Sequence, residues 1–99
     1  MRKLRFSLAA EEDVKEILTY TLETWGERQF EQYLDILNQA FDEISKDTLS
    51  PNSRYRDELV KGVITLRDGH HIIFFRMKSD EVEVIRVLHE RMDFGRHLK

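Results

Sequence analysis

Four histidines (His70, His71, His89 and His97) and a scatter of arginines are the residues here whose types could do chemistry. Metal binding is the first chemistry to weigh. His70 and His71 are adjacent and strand-like, so their side chains point to opposite faces. His89 and His97 stand apart, and there is no cysteine. His89-Glu90 is only a fragment of the zinc-binding HExxH pattern, so no metal site and no cofactor are expected. Hydrolysis fares no better: nucleophile elbows and Gly-rich phosphate loops are missing, and Ser50 and Ser53 read as turn residues. RNA cleavage without a metal needs a proton donor, a proton acceptor and cations for the phosphorane. His89 or His97 could move protons, and Arg54, Arg56, Lys61, Arg76, Arg86 and Arg91 could supply charge. The plainer reading of Arg76 and Arg86 is pairing with carboxylates such as Asp57, Glu58 or Glu83.

The elements that must position these residues follow from periodicity. Lys3 to Ser7 alternates like a strand, with Leu4 and Phe6 on one face. Ser7 is placed to cap a helix whose stripe is Val14, Ile17, Leu18, Thr21, Leu22 and Trp25. Gly26 stops it. A second helix carries Phe30, Tyr33, Leu34, Leu37, Phe41 and Ile44, so the pair is expected to form an antiparallel hairpin with its aromatics in the core. Ser50-Pro51-Asn52-Ser53 is the punctuated loop. Strands are expected at Leu59–Arg67, His70–Met77 and Val82–His89, with an Asp68-Gly69 turn between the first two. The expected fold class is α+β, a single domain over 1–99: N-terminal strand, helical hairpin, three-stranded antiparallel meander and a short C-terminal tail.

Composition sets limits. Ninety-nine residues suit one domain with a modest core. No apolar run approaches the ~20 residues of a membrane span, and acidic residues at Glu11 and Glu12 interrupt any signal-like start. Cytoplasmic residence is the expectation. The net charge of −3 conceals an asymmetry: residues 1–50 hold six Lys/Arg and eleven Asp/Glu, whereas residues 51–99 hold ten and eight. That is no basic stripe, so sequence-specific nucleic-acid binding by this chain alone is not expected. Ile72-Ile73-Phe74-Phe75 and Val84-Ile85…Val87-Leu88 are apolar on both sheet faces. Two helices cover one face; the other needs the tail, a partner, or both. In the tail, Asp93 could cap a last turn that puts Phe94 and Leu98 on one side.

In order along the chain stand Tyr20…Trp25-Gly26…Gln29…Tyr33-Leu34, Asp57-Glu58-Leu59 with Gly62, His71-Ile72-Ile73-Phe74-Phe75-Arg76, and Arg86-Val87-Leu88-His89…Met92-Asp93…Arg96-His97-Leu98. Together they resemble the ParE toxins of the RelE/ParE superfamily over essentially the whole chain. The resemblance implies a small toxin encoded beside a ParD-like antitoxin. That antitoxin has a DNA-binding half and a segment that wraps along the toxin. It also implies DNA gyrase as the target, inhibited by binding, so no catalytic residue carries over. The tail residues Met92, Asp93, Phe94, Arg96, His97 and Leu98 would meet the target. Either Arg54 or Arg56 would stand for the arginine of the family's Gly-x-x-Arg loop, although the glycine is absent. The antitoxin would cover the sheet face of Ile73, Phe75, Ile85 and Val87. The alternative within the superfamily is a ribosome-dependent mRNA interferase of the RelE type, using His89 or His97 and the strand arginines.

Overall fold

The computed structural model describes residues 2–46 and 48–98. The element order is β1 (Lys3–Phe6), α1 (Leu8–Trp25), α2 (Glu27–Ser45), β2 (Arg54–Tyr55), β3 (Ile64–Asp68), β4 (His71–Met77), β5 (Glu81–His89) and α3 (Phe94–His97). The α+β expectation is met, and the meander sits inside a larger sheet of order β1-β5-β4-β3-β2. β1 runs parallel to β5, with Phe6 opposite Val84, and the other pairings are antiparallel.

Local chemistry explains most boundaries. Ser7 Oγ accepts from the Ala10 N–H at 3.0 Å and so caps α1. Gly26 has φ +88° and ψ 179°, a conformation open essentially to glycine alone, and it turns α1 directly into α2. The hairpin turn between β3 and β4 is Gly69-His70, because Asp68 already pairs with His71. The strand expected from Leu59 begins only at Ile64. Leu59–Val63 is a turn, with the Gly62 N–H donating to Asp57 Oδ1 at 2.8 Å and Gly62 at φ +80°.

Two apolar clusters lie on the two faces of the sheet. On one, Leu37, Ala40, Phe41 and Ile44 of α2 and Ala10 of α1 pack on Ile64, Leu66, Ile73, Phe75, Val82, Val84 and Val87. On the other, Val63, Phe74 and Leu88 are closed over by Leu59 and Val60 from the turn and by Phe94 and Leu98 from the tail. The tail therefore folds back. A bulge separates these sets on β5. Phe74 stands opposite Arg86 while Phe75 stands opposite Val84, so Val84 and Val87, three apart, both face the helices.

This phase shift splits the four residues expected to form one antitoxin face. Ile73 and Phe75 are 0 % exposed and Val87 2 % exposed, all on the face packed by the helices. Ile85 lies in the opposite cluster, next to the tail.

Candidate functional site

The site is built where α1 leaves the sheet. β1 ends at Phe6, with the Ser7 N–H donating to the Val84 carbonyl at 3.0 Å. From there α1 supplies the partners of β5. Ser7 Oγ donates to the Ile85 carbonyl at 2.7 Å, and Asp13 Oδ2 accepts from the buried Val87 N–H at 3.0 Å. The same carboxylate takes both arms of Arg86, Nε at 2.7 Å and Nη2 at 2.8 Å. Arg86 Nη1 reaches on to the His97 carbonyl at 3.0 Å. One buried aspartate thus ties α1, β5 and the tail. In return it holds the Arg86 guanidinium charged, above its ordinary range.

Past this clamp α1 leaves the packed core. Eighteen residues make a helix of about 27 Å, and its last four, Leu22–Trp25, are exposed. Trp25 is 66 % exposed and Tyr20 63 % exposed. The expected burial of Trp25 in the core is therefore corrected; it stands on a rim instead. Below lies a cleft of about 570 Å³ between both helices, the ends of β4 and β5, and the start of the tail. Its apolar lining includes Ile17, Tyr20, Trp25, Tyr33, Val87 and Met92.

Three of the four histidines converge on one wall of this cleft, together with His71's partner Tyr33. The Tyr33 hydroxyl is hydrogen-bonded to His71 Nδ1. His71 meets His89 edge-on with ring centroids 5.4 Å apart, and His89 stacks on His70 at 6.3 Å. Burial, then the nearby His89 and His70, push the His71 pKa down to about 4, so it is neutral at pH 7. Burial raises the pKa of Tyr33, reinforced by the Asp68 carboxylate. Asp68 itself is raised to about 6 by burial, and its Oδ2 has no hydrogen-bond partner. At the outer edge Glu90 accepts from Arg67 Nη2 and pairs with His70 Nδ1, each at 2.8 Å; the bond with His70 holds the carboxyl below its ordinary range.

The cleft is mostly apolar, with imidazole and carboxylate groups among its lining. Among the described residues no lysine or arginine lines the cleft. Two arginines three residues from a histidine are engaged, Arg86 by Asp13 and Arg67 by Glu90. No group of three or more metal-ligating side chains among the described residues is arranged to hold an ion.

The expected tail residues divide by role. Phe94 packs edge-on against Phe74 with centroids 5.1 Å apart, and Leu98 joins the same cluster. Both therefore anchor the tail to its own sheet. Asp93 stands at the N-cap position of α3 without a side-chain cap bond. Asp93, Arg96 and His97 are exposed, and Met92, 45 % exposed, belongs to the cleft. Arg54 is exposed on β2 at the sheet edge, whereas Arg56 is paired with Glu58 at 2.6 Å. The turn after Arg56 meets the tail on the second sheet face through Leu59 and Val60. Sequence reasoning missed Asp13, Tyr20, Trp25 and Tyr33 as parts of a site. The signal available was a helix stripe running up to its stop glycine.

The family model and the curated relatives agree on one family. The model described as the ParE toxin of the type II toxin–antitoxin system parDE matches residues 4–94. Toxin ParE1 of Mycobacterium tuberculosis is 38 % identical over 93 residues, 93 % of each chain. Toxin ParE1 of Caulobacter vibrioides is 32 % identical over 99 residues, 99 % of each chain. Among solved structures, the chromosomal ParDE system from P. aeruginosa has a chain superposing with a TM-score of 0.72 at 19 % identity, covering 90 % of this chain and 96 % of that one. YafQ from E. coli superposes with a TM-score of 0.65 at 13 % identity, covering 91 % and 94 %. At these identities the structural likeness speaks to fold alone.

Proposed function

This chain belongs to the ParE toxin family of type II toxin–antitoxin systems, and from that premise we propose that it inhibits DNA gyrase by binding it and is neutralised by a ParD-like antitoxin. The observation that carries the binding reading is the cleft and tail surface. It offers aromatic, thioether and imidazole groups, and no lysine or arginine lines the cleft among the described residues. Such a surface recognises a protein by desolvating apolar anchors, and among the described residues the cleft lining itself supplies none of the cations that a phosphorane requires. Met92, Asp93, Arg96 and His97 present the tail to the target, and Phe94 and Leu98 hold it in place. Arg54 is a second, weaker contact. Arg56, paired with Glu58, contributes less. Of the residues expected to meet the antitoxin, Ile73 and Phe75 are buried in the free chain, so in this reading the antitoxin first meets exposed surface around them. Among the described residues no helix is long and apolar enough to cross a membrane, and the reading implies a cytoplasmic site of action.

The test is a supercoiling assay with purified gyrase, with and without ATP, scoring lost supercoiling and trapped linear DNA. Gyrase left untouched by demonstrably folded protein refutes the proposal. One observation favours a second reading, an mRNA interferase: His89 stands in the cleft beside His70 and His71. Transcript cleavage on ribosomes, abolished by His89→Ala, is its signature.

A further inference from the structure

Of the tail residues only Met92 lines the cleft. Tyr20, Trp25 and Met92 are large, apolar and exposed, and all three line it. Single exposed apolar residues are ordinary, but three around one depression form a patch that marks an interaction site. Tryptophan and tyrosine are also the side chains most enriched among interface residues that dominate binding. The α1 rim is acidic. Glu12, Glu16 and Glu23, three carboxylates against the single cation Lys15, line a shallow depression that shares Glu16 and Tyr20 with the cleft. None of the three forms an ion pair among the described residues. The opposite rim is formed by His70, His89 and Met92. Met92 is the first residue of the tail to which target contact is assigned, and its N–H donates to the His89 carbonyl at 3.0 Å. Cleft and tail are thus one continuous surface.

We propose that this cleft is a second docking site for the gyrase target, taking an apolar side chain from a segment whose flanking lysines or arginines lie along Glu12, Glu16 and Glu23. The site rests on the gyrase reading above and adds to it a contact surface, a partner chemistry and residues outside the tail. The charge pattern selects the partner. A cationic amphipathic segment gains from the net negative charge of Glu12, Glu16 and Glu23 against the single Lys15, while its apolar face is desolvated between Tyr20, Trp25 and Met92. An acidic segment would be repelled by the same row.

The experiment uses the full chain and purified gyrase. Trp25→Ala and Tyr20→Ala remove exposed side chains and should leave the thermal midpoint within a few degrees of wild type. Each is expected to lower inhibitory potency about tenfold or more. Glu12→Lys/Glu16→Lys should weaken inhibition in a salt-dependent manner. Ile36→Ala, a comparably exposed apolar residue of α2 outside the cleft, should be neutral. The same variants are titrated against the antitoxin. Active wild type with equally active Trp25→Ala and Tyr20→Ala refutes the cleft as a target site. So does unchanged inhibition with weakened antitoxin binding, which assigns the cleft to the antitoxin. Wild-type protein that leaves gyrase untouched refutes the gyrase reading itself, a separate and distinguishable failure.

Discussion

Replacing Asp13 by alanine should be among the most damaging single changes in this protein, although Asp13 lies far in sequence from everything it holds. Its carboxylate accepts from both arms of Arg86 and from the buried amide of Val87. Alanine strands that amide, at a cost of about 1–3 kcal/mol. Removing one partner of a buried ion pair costs about 3–5 kcal/mol when the other charge stays buried. The lower end applies here, because the Arg86 side chain keeps 21 % exposure and its bond to the His97 carbonyl. The two costs overlap, and about 3 kcal/mol is the expected total. Against a whole-domain stability of about 5–15 kcal/mol that is a large fraction. With a urea m-value of about 1.5 kcal/mol/M, the unfolding midpoint followed by far-UV circular dichroism should fall by about 2 M. Asp13→Asn keeps an acceptor for Val87 and should fall about half as far. The Asp13→Ala/Arg86→Ala double variant should cost less than the sum of the singles. A midpoint for Asp13→Ala within 0.5 M of wild type would show that the clamp is ornamental.

Other consequences can be checked with the same material. Phe94→Ala should cost about 2 kcal/mol, less than a fully buried phenylalanine because Phe94 is only partly buried, and should increase binding of a hydrophobic dye as the second face opens. Arg96→Ala should leave stability within about 0.5 kcal/mol while reducing gyrase inhibition, which separates target contact from folding. Gly26→Ala meets nothing within 4 Å, so its expected cost of about 1–3 kcal/mol is purely conformational. In the acid range two groups oppose each other. His71, depressed to about 4, binds more protons unfolded than folded, so its contribution to stability falls as pH drops from about 6.5 to 4. Asp68, raised to about 6, binds more protons folded, so its contribution grows as pH drops from about 6 to 3.8. Asp68→Asn should therefore steepen acid unfolding between pH 6.5 and 4, and a flat profile in that variant would refute the assignment.

Much of the fold is legible in the residues because local chemistry sets it. Ser7 caps, Gly26 stops, and the two apolar faces of β4 require cover on both sides. What is not legible depends on where elements meet. Ile73, Phe75 and Val87 do share a face, but alternation does not say that the helices take that face. The bulge then moves Ile85 to the other side, and no residue type announces it. Trp25 reads as core because helical periodicity carries no information about where the packed core beneath a helix ends. Asp13 reads as one more acid at a helix N-terminus, since its partner lies 73 residues away. Arg54–Tyr55 forms too short a strand to leave a pattern.

The parallel pairing of β1 with β5 has a consequence in time. Phe6 finds its strand partner only at Val84. The cap residue Ser7 and the clamp residue Asp13 likewise wait for Ile85 to Val87. On a ribosome adding about 5–20 residues per second, the first strand is made roughly 4–16 s before anything it can pair with. The helical hairpin can form in that interval, since its contacts are local, but its apolar underside has no sheet to rest on. Closure is an end-of-synthesis event with high contact order, and it is correspondingly slow. A nascent chain of this protein is therefore a hairpin with an open core for most of its synthesis. The joined cleft and tail exist only after the last strand has docked beside the first.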